Sequence, residues 1–150
     1  MRMRLLCALL FSAVALSAAP IAFDASIGDL SPASDLTNLN FDTEGHLWYK
    51  FDQMVFLGAG TGMQMVEGTR HIPIFGSLWL RLPFGGRTLP VVMGDMGYTL
   101  SKDSQFFWRG GGGLDIKNGN HSSLLLLAGY QRYSNLGGYY YLRGGLLLEF

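Results

Sequence analysis

The stretch Gln105-Phe106-Phe107-Trp108-Arg109-Gly110-Gly111-Gly112-Gly113-Leu114-Asp115-Ile116 decides the fold. Successive side chains of a β-strand point to opposite faces, so the run sorts into two sets. Phe106, Trp108, Gly110, Gly112, Leu114 and Ile116 make a face without a charge or an amide. Gln105, Phe107, Arg109, Gly111, Gly113 and Asp115 make the other, which carries every polar side chain of the run except the indole N–H. A helical 3.6-residue period gives no such separation. A strand apolar on one face, and charged and glycine-rich on the other, suits a wall between an apolar medium and a narrow polar interior.

The same alternation extends outward along the chain. In the preceding segment Val92, Gly94, Met96, Tyr98 and Leu100 face out, against Val91, Met93, Asp95, Gly97 and Thr99. At the carboxyl end Tyr140, Leu142, Gly144, Leu146, Leu148 and Phe150 face out, against Tyr141, Arg143, Gly145, Leu147 and Glu149. Ser77 and Arg81 set the inward parity of an earlier segment and turn Phe75 and Trp79 inward with them. Two segments stay ambiguous, notably the one around Leu124-Leu125-Leu126-Leu127, which is apolar on both faces.

Strands are expected over Ile21 to Asp29, Phe41 to Lys50, Met54 to Val66, Ile72 to Leu82, Leu89 to Leu100, Gln105 to Ile116, Ser122 to Tyr133 and Gly138 to Phe150. Gly, Asn, Asp and Pro punctuate them, and Asn118-Gly119 is the strongest hairpin signal. Each strand with its connection takes about 16 residues, enough for a tilted crossing of a bilayer plus a short turn. The even count leaves both ends on one side, the periplasmic one, and only the first outer connection, Leu30 to Asn40, is long. The expected class is all-β, an eight-stranded antiparallel up-and-down transmembrane β-barrel occupying residues 20–150.

Residues 1–19 have the plan of a secretory signal: Arg2 and Arg4, an apolar run from Leu5 to Leu16, then Ser17-Ala18-Ala19. Cleavage falls between 17 and 19. Without Arg2 and Arg4 the chain has nine basic and eleven acidic side chains, a balance that does not favour nucleic acid. The single cysteine, Cys7, lies in the signal, which excludes disulfides and cysteine metal sites from the exported part. His46, His71 and His121 have no metal-ligand spacing and are expected at exposed strand ends or connections. Gly110 to Gly113 lacks the Lys-Ser/Thr and the helix of a phosphate-binding loop. No cofactor and no metal are expected.

The phasing sends Arg81, Arg109, Arg143, Asp95, Asp115 and Glu149 inward, three of each sign. An eight-stranded barrel is just wide enough for its own side chains, so these charges are expected to pair and fill the lumen. Trp48, Trp108, Tyr130, Tyr139, Tyr140 and Phe150 lie towards strand ends and are expected to anchor the barrel at the lipid interfaces.

The last eight residues, Arg143-Gly144-Gly145-Leu146-Leu147-Leu148-Glu149-Phe150, resemble the carboxyl-terminal signal that presents outer-membrane barrels to their assembly machinery. Arg143, Gly145, Leu148 and Phe150 fill its polar, glycine, hydrophobic and final aromatic places. Runs such as Phe56-Leu57-Gly58-Ala59-Gly60-Thr61-Gly62 resemble strands of small OmpW/OmpX-type outer-membrane barrel domains. That resemblance implies the outer membrane as location, with its lipid, the assembly machinery and periplasmic chaperones as partners. Leu114 to Asn135 is also similar to the region of outer-membrane lipid A deacylases that carries a His-x-Ser-Asn motif. Here Arg132 stands in the histidine place, and an arginine cannot take the proton of Ser134 at neutral pH. Glu149 is the only carboxylate downstream.

The expectation is therefore a non-enzymatic structural or interaction protein with a narrow, charge-filled lumen. A small channel for apolar or weakly polar solutes is the alternative, and an adhesin role would have to reside in the Leu30 to Asn40 loop. A soluble, lipocalin-like barrel has the same alternation with inverted faces, but strands three, seven and eight offer little charge to coat its outside.

Overall fold

The computed structural model of the chain describes residues 20–84, 86–101 and 104–150; the expected signal segment lies outside them. Eight strands follow one another: β1 (Ile21–Pro32), β2 (Phe41–Lys50), β3 (Val55–Val66), β4 (Thr69–Arg81), β5 (Thr88–Leu100), β6 (Gln105–Lys117), β7 (Ser122–Tyr133) and β8 (Gly137–Glu149). Each pairs antiparallel with the next, and β1 pairs antiparallel with β8, so the sheet closes on itself and leaves no free edge. Closure is the condition under which strands satisfy all their backbone groups in an apolar medium.

The connections give two corrections. A hairpin does turn at Asn118-Gly119, between β6 and β7, but the tightest one is at Glu67-Gly68, between paired Val66 and Thr69. Both of its central residues have positive φ, 49° and 75°, as a primed two-residue turn demands. This short turn starts β4 at Thr69, three residues before the expected Ile72. Asn118 instead opens a four-residue connection closed by its N–H donating to the Ser122 carbonyl at 3.0 Å. β1 also runs past Asp29 to Pro32, because Leu30, Ser31 and Pro32 keep pairing with Tyr141, Tyr140 and Tyr139 of β8 after β2 has ended.

The two faces separate as alternation dictates. Leu57, Leu78, Val92, Met96, Leu142 and Leu146 are exposed on the outside, while the buried set lies within the barrel. An outside of this kind rules out the inverted, lipocalin-like version. The ambiguous strands are settled: Phe56, Gln64 and Val66 of β3 and Ser123, Leu125, Leu127, Gln131 and Tyr133 of β7 are buried inside.

Glycines make the inside possible. Gly111 and Gly129 are register partners on β6 and β7, and a Cβ on either would run into the Tyr141 hydroxyl. Their missing side chains are the space the Tyr141 ring occupies. On the other parity, a Cβ on Gly76 would meet nothing within 4 Å.

Candidate functional site

The centre of the barrel is a side-chain plug built on Glu44 of β2. Its Oε1 accepts from Arg109 Nη1 of β6 at 2.5 Å, and its Oε2 from Arg143 Nη1 of β8 at 2.8 Å. Arg109 Nε also donates to Asp95 of β5, and Arg143 Nε to Asp42 of β2. One carboxylate thus joins two guanidinium groups, and four strands around the barrel are tied through its axis. The Glu44 and Arg109 side chains are both 0% exposed.

Aromatic rings complete the packing. The Arg109 guanidinium lies 4.4 Å from the centre of the Phe75 ring, and that of Arg143 lies 4.6 Å from the Tyr141 ring. Delocalised guanidinium stacks on ring faces while its edge donates to carboxylates, which suits arginine and not lysine to this interior. Towards the end that carries the chain termini Trp48 meets Trp79 edge to face at 5.4 Å, with Phe56 beside them. Asp24 of β1 holds this layer, accepting from Trp48 Nε1 at 2.5 Å and lying 2.9 Å from His46 Nδ1.

A second ionic cluster closes the end of the barrel that carries the chain termini. Arg81 of β4 pairs with Asp115 of β6 and, at 2.8 Å, with Glu149 of β8, which also binds Lys50 Nζ at 2.6 Å. Arg81, Asp95, Arg109, Asp115, Arg143 and Glu149, the six charges phased inward, thus fall into two groups. Arg109, Asp95 and Arg143 belong to the central plug, and Arg81, Asp115 and Glu149 to the cluster beside the chain termini.

Several participants escaped the sequence. Asp42, Glu44, Asp24 and His46 are all buried inside. The signal for them is the alternation of Asp42, Glu44, His46 and Trp48 against Phe41, Thr43, Gly45, Leu47 and Tyr49 in β2, where no parity was assigned. His46 and His71 are 2% and 4% exposed, which corrects their expected place at the surface; only His121 is exposed. Trp48 and Tyr139 do not anchor the interface either, since each is 1% exposed. Both lie on the inward parity, Trp48 with its indole N–H on Asp24 and Tyr139 with its hydroxyl on Glu67. Position near a strand end is no guide to facing when parity contradicts it. Trp108, Tyr140 and Phe150 are exposed, Tyr130 is half-buried, and Trp108, Tyr130 and Tyr140 form a chain of ring contacts at 6.0 and 5.4 Å.

At the mouth of the barrel away from the chain termini a cavity of about 210 Å³ is lined in part by Val66, Glu67, Thr69, His71, Gln105 and Leu136. Its His71 packs 6.1 Å from the Tyr133 ring, and Tyr133 donates at 2.5 Å to Gln64 Oε1, whose Nε2 donates to Glu44 of the plug at 2.9 Å. Arg132 and Ser134 are exposed at the end of the barrel away from the chain termini, whereas Glu149 lies beside them. The three do not come together. Among the described residues no group of three His, Cys, Asp or Glu side chains has the arrangement of a metal site.

No protein-family model matches the chain, and no curated protein matches it significantly in sequence. Solved structures do match in fold. The crystal structure of Neisserial surface protein A superposes with a TM-score of 0.69 at 9% identity, over 87% of this chain and 96% of that one. The N-terminal β-barrel domain of Pseudomonas aeruginosa OprF gives 0.65 at 12% identity, over 88% and 98%. The outer membrane enzyme PagL gives 0.54 at 14% identity, over 83% and 98%. The fold is that of small outer-membrane eight-stranded barrels. One of the three matched proteins is an enzyme, so fold alone decides nothing about catalysis.

Proposed function

We propose that the chain is a structural or interaction protein of the bacterial outer membrane, whose barrel is closed by its own side chains. The observation that carries this reading is the double arginine bridge on Glu44, set across the axis with no exposed side-chain surface on Glu44 or Arg109. A conducting lumen needs charged walls separated by water; here walls of opposite sign meet. The outer belt of Leu57, Val92, Met96, Leu126, Leu142 and Leu146 supports residence in lipid, because water would penalise so large a continuous apolar surface.

Export by the amino-terminal signal, passage with periplasmic chaperones and delivery to the assembly machinery through Arg143, Gly145, Leu148 and Phe150 belong to the same reading. So does the absence of catalysis. Arg132 has no basic lone pair to offer Ser134, and Glu149 is at the other end of the barrel.

The test is the conductance of the purified, folded protein in planar lipid bilayers, with fractionation of the native envelope beside it. The expected result is a heat-modifiable band in the outer-membrane fraction and a baseline indistinguishable from protein-free lipid. Steady ohmic steps would sink the plug in favour of a small channel, and release with the soluble periplasmic fraction would sink the membrane assignment.

A further inference from the structure

The cavity at the mouth away from the chain termini has a chemistry of its own. Glu67 stands on its rim in a left-handed conformation, φ 49°, that a side chain other than glycine or asparagine adopts at a cost. Two hydrogen bonds hold it there: its N–H donates to Asn40 Oδ1 at 3.3 Å, and its Oε1 accepts from the Tyr139 hydroxyl at 3.1 Å. Among the described residues no Lys or Arg pairs with this carboxylate. Arg70 is close in sequence, but it is exposed on the parity opposite to inward-facing His71.

Two further acceptors line the same cavity without partners. His71 is 96% buried by its 4% exposure, and its Nδ1 has no hydrogen bond; Gln105 is 5% exposed, and its Oε1 has none either. Unmade hydrogen bonds on buried groups are costly, and neither residue is needed to fill the plug. The cavity thus has a carboxylate on its rim and, within the two wall residues His71 and Gln105, a buried imidazole nitrogen and a buried amide oxygen that lack hydrogen bonds, beside apolar walls from Val66 and Leu136.

We propose that this cavity binds a primary alkylammonium group. An ammonium offers three donors and one positive charge, which matches three acceptors of which one is charged. An anion would meet Glu67 and gain no cation. The volume, about 210 Å³, equals about seven waters at roughly 30 Å³ each, room for the head group and a few methylenes against Val66 and Leu136. The proposal is independent of whether the lumen conducts, since the cavity opens outward from the plug.

The experiment is a titration of the full, refolded protein in a nonionic maltoside detergent with n-butylammonium chloride, read by amide NMR shifts and by calorimetry. n-Butanol and sodium butyrate are the comparison probes. Saturable butylammonium binding is expected, with shifts at Glu67, His71, Gln105 and Leu136, at least about tenfold tighter than butanol and with no binding of butyrate. Glu67→Gln keeps the Tyr139 bond and removes the charge, and is expected to weaken binding about tenfold or more. If Glu67→Gln loses heat-modifiable migration, Gln105→Met decides instead, with an expected loss of about threefold to tenfold. Equal binding of butanol and butylammonium, tighter binding of butyrate, or unchanged affinity in a folded variant would overturn the proposal.

Discussion

The two ionic clusters of the barrel use the same chemistry at different depths. At the centre, Glu44 and Arg109 have no exposed side-chain surface, and Arg143 only 1%. In the cluster beside the chain termini, Arg81 and Asp115 are also buried, but Lys50 and Glu149 are 20% and 15% exposed. A buried pair is held by the penalty for breaking it, because the abandoned partner cannot turn to water. A partly wetted pair exchanges protein for water at little cost. The centre is therefore where removal of one side chain should be felt, and the Lys50–Glu149 pair is where it should not.

The largest effect is expected from Arg109→Leu, which strands Asp95 in the interior and leaves Glu44 with Arg143 as its one guanidinium partner. A loss of about 3–5 kcal/mol is expected, read as a lowered midpoint for urea unfolding of the lipid-reconstituted protein. Insensitivity at this site would mean that water reaches the centre and that the two clusters do not differ. Glycines sharpen the same contrast. Gly111→Ala puts a methyl against the Tyr141 hydroxyl and the Ala128 carbonyl and is expected to cost about 1–3 kcal/mol, whereas Gly76→Ala, with open space around it, should stay within about 0.5 kcal/mol. Parallel unfolding curves of the pair test this, and equal destabilisation would break the inside-outside assignment. The smallest effect belongs to Lys50→Ala: at most about 1 kcal/mol, fading as salt is raised, in the same assay.

How much was legible can be judged strand by strand. β5, β6 and β8 each carry a charge at a single parity, so a barrel with one polar face could be phased from Asp95, Arg109, Asp115 and Arg143. β2 carries the same pattern in Asp42 and Glu44, yet its Trp48 suggests an interface anchor when viewed alone. The side chain is large and amphipathic, and only the partner on β1, Asp24, decides that its N–H is satisfied inside. His46 belongs to the same layer and was hidden for the same reason. Turn type was illegible at Glu67-Gly68, since Glu is a poor residue for positive φ and nothing local announces that Tyr139 and Asn40 hold it.

The sequence by itself determined the class of fold, the number of strands and, where charge marked a parity, the direction each side chain takes. Strand alternation is a local property with a period of two residues, so it needs no knowledge of the rest of the chain. Only the tertiary structure decided which charges meet. Glu44 reaches Arg109 and Arg143 across 65 and 99 residues of sequence, and that pairing depends on the register of closure between β1 and β8. A slip of one residue at that seam would turn every side chain of a strand to the other face. The pairing of β4 through β5 to β6 likewise brings Gln105 to one cavity with Glu67 and His71 of the β3–β4 hairpin, a segment 34 or more residues away in sequence.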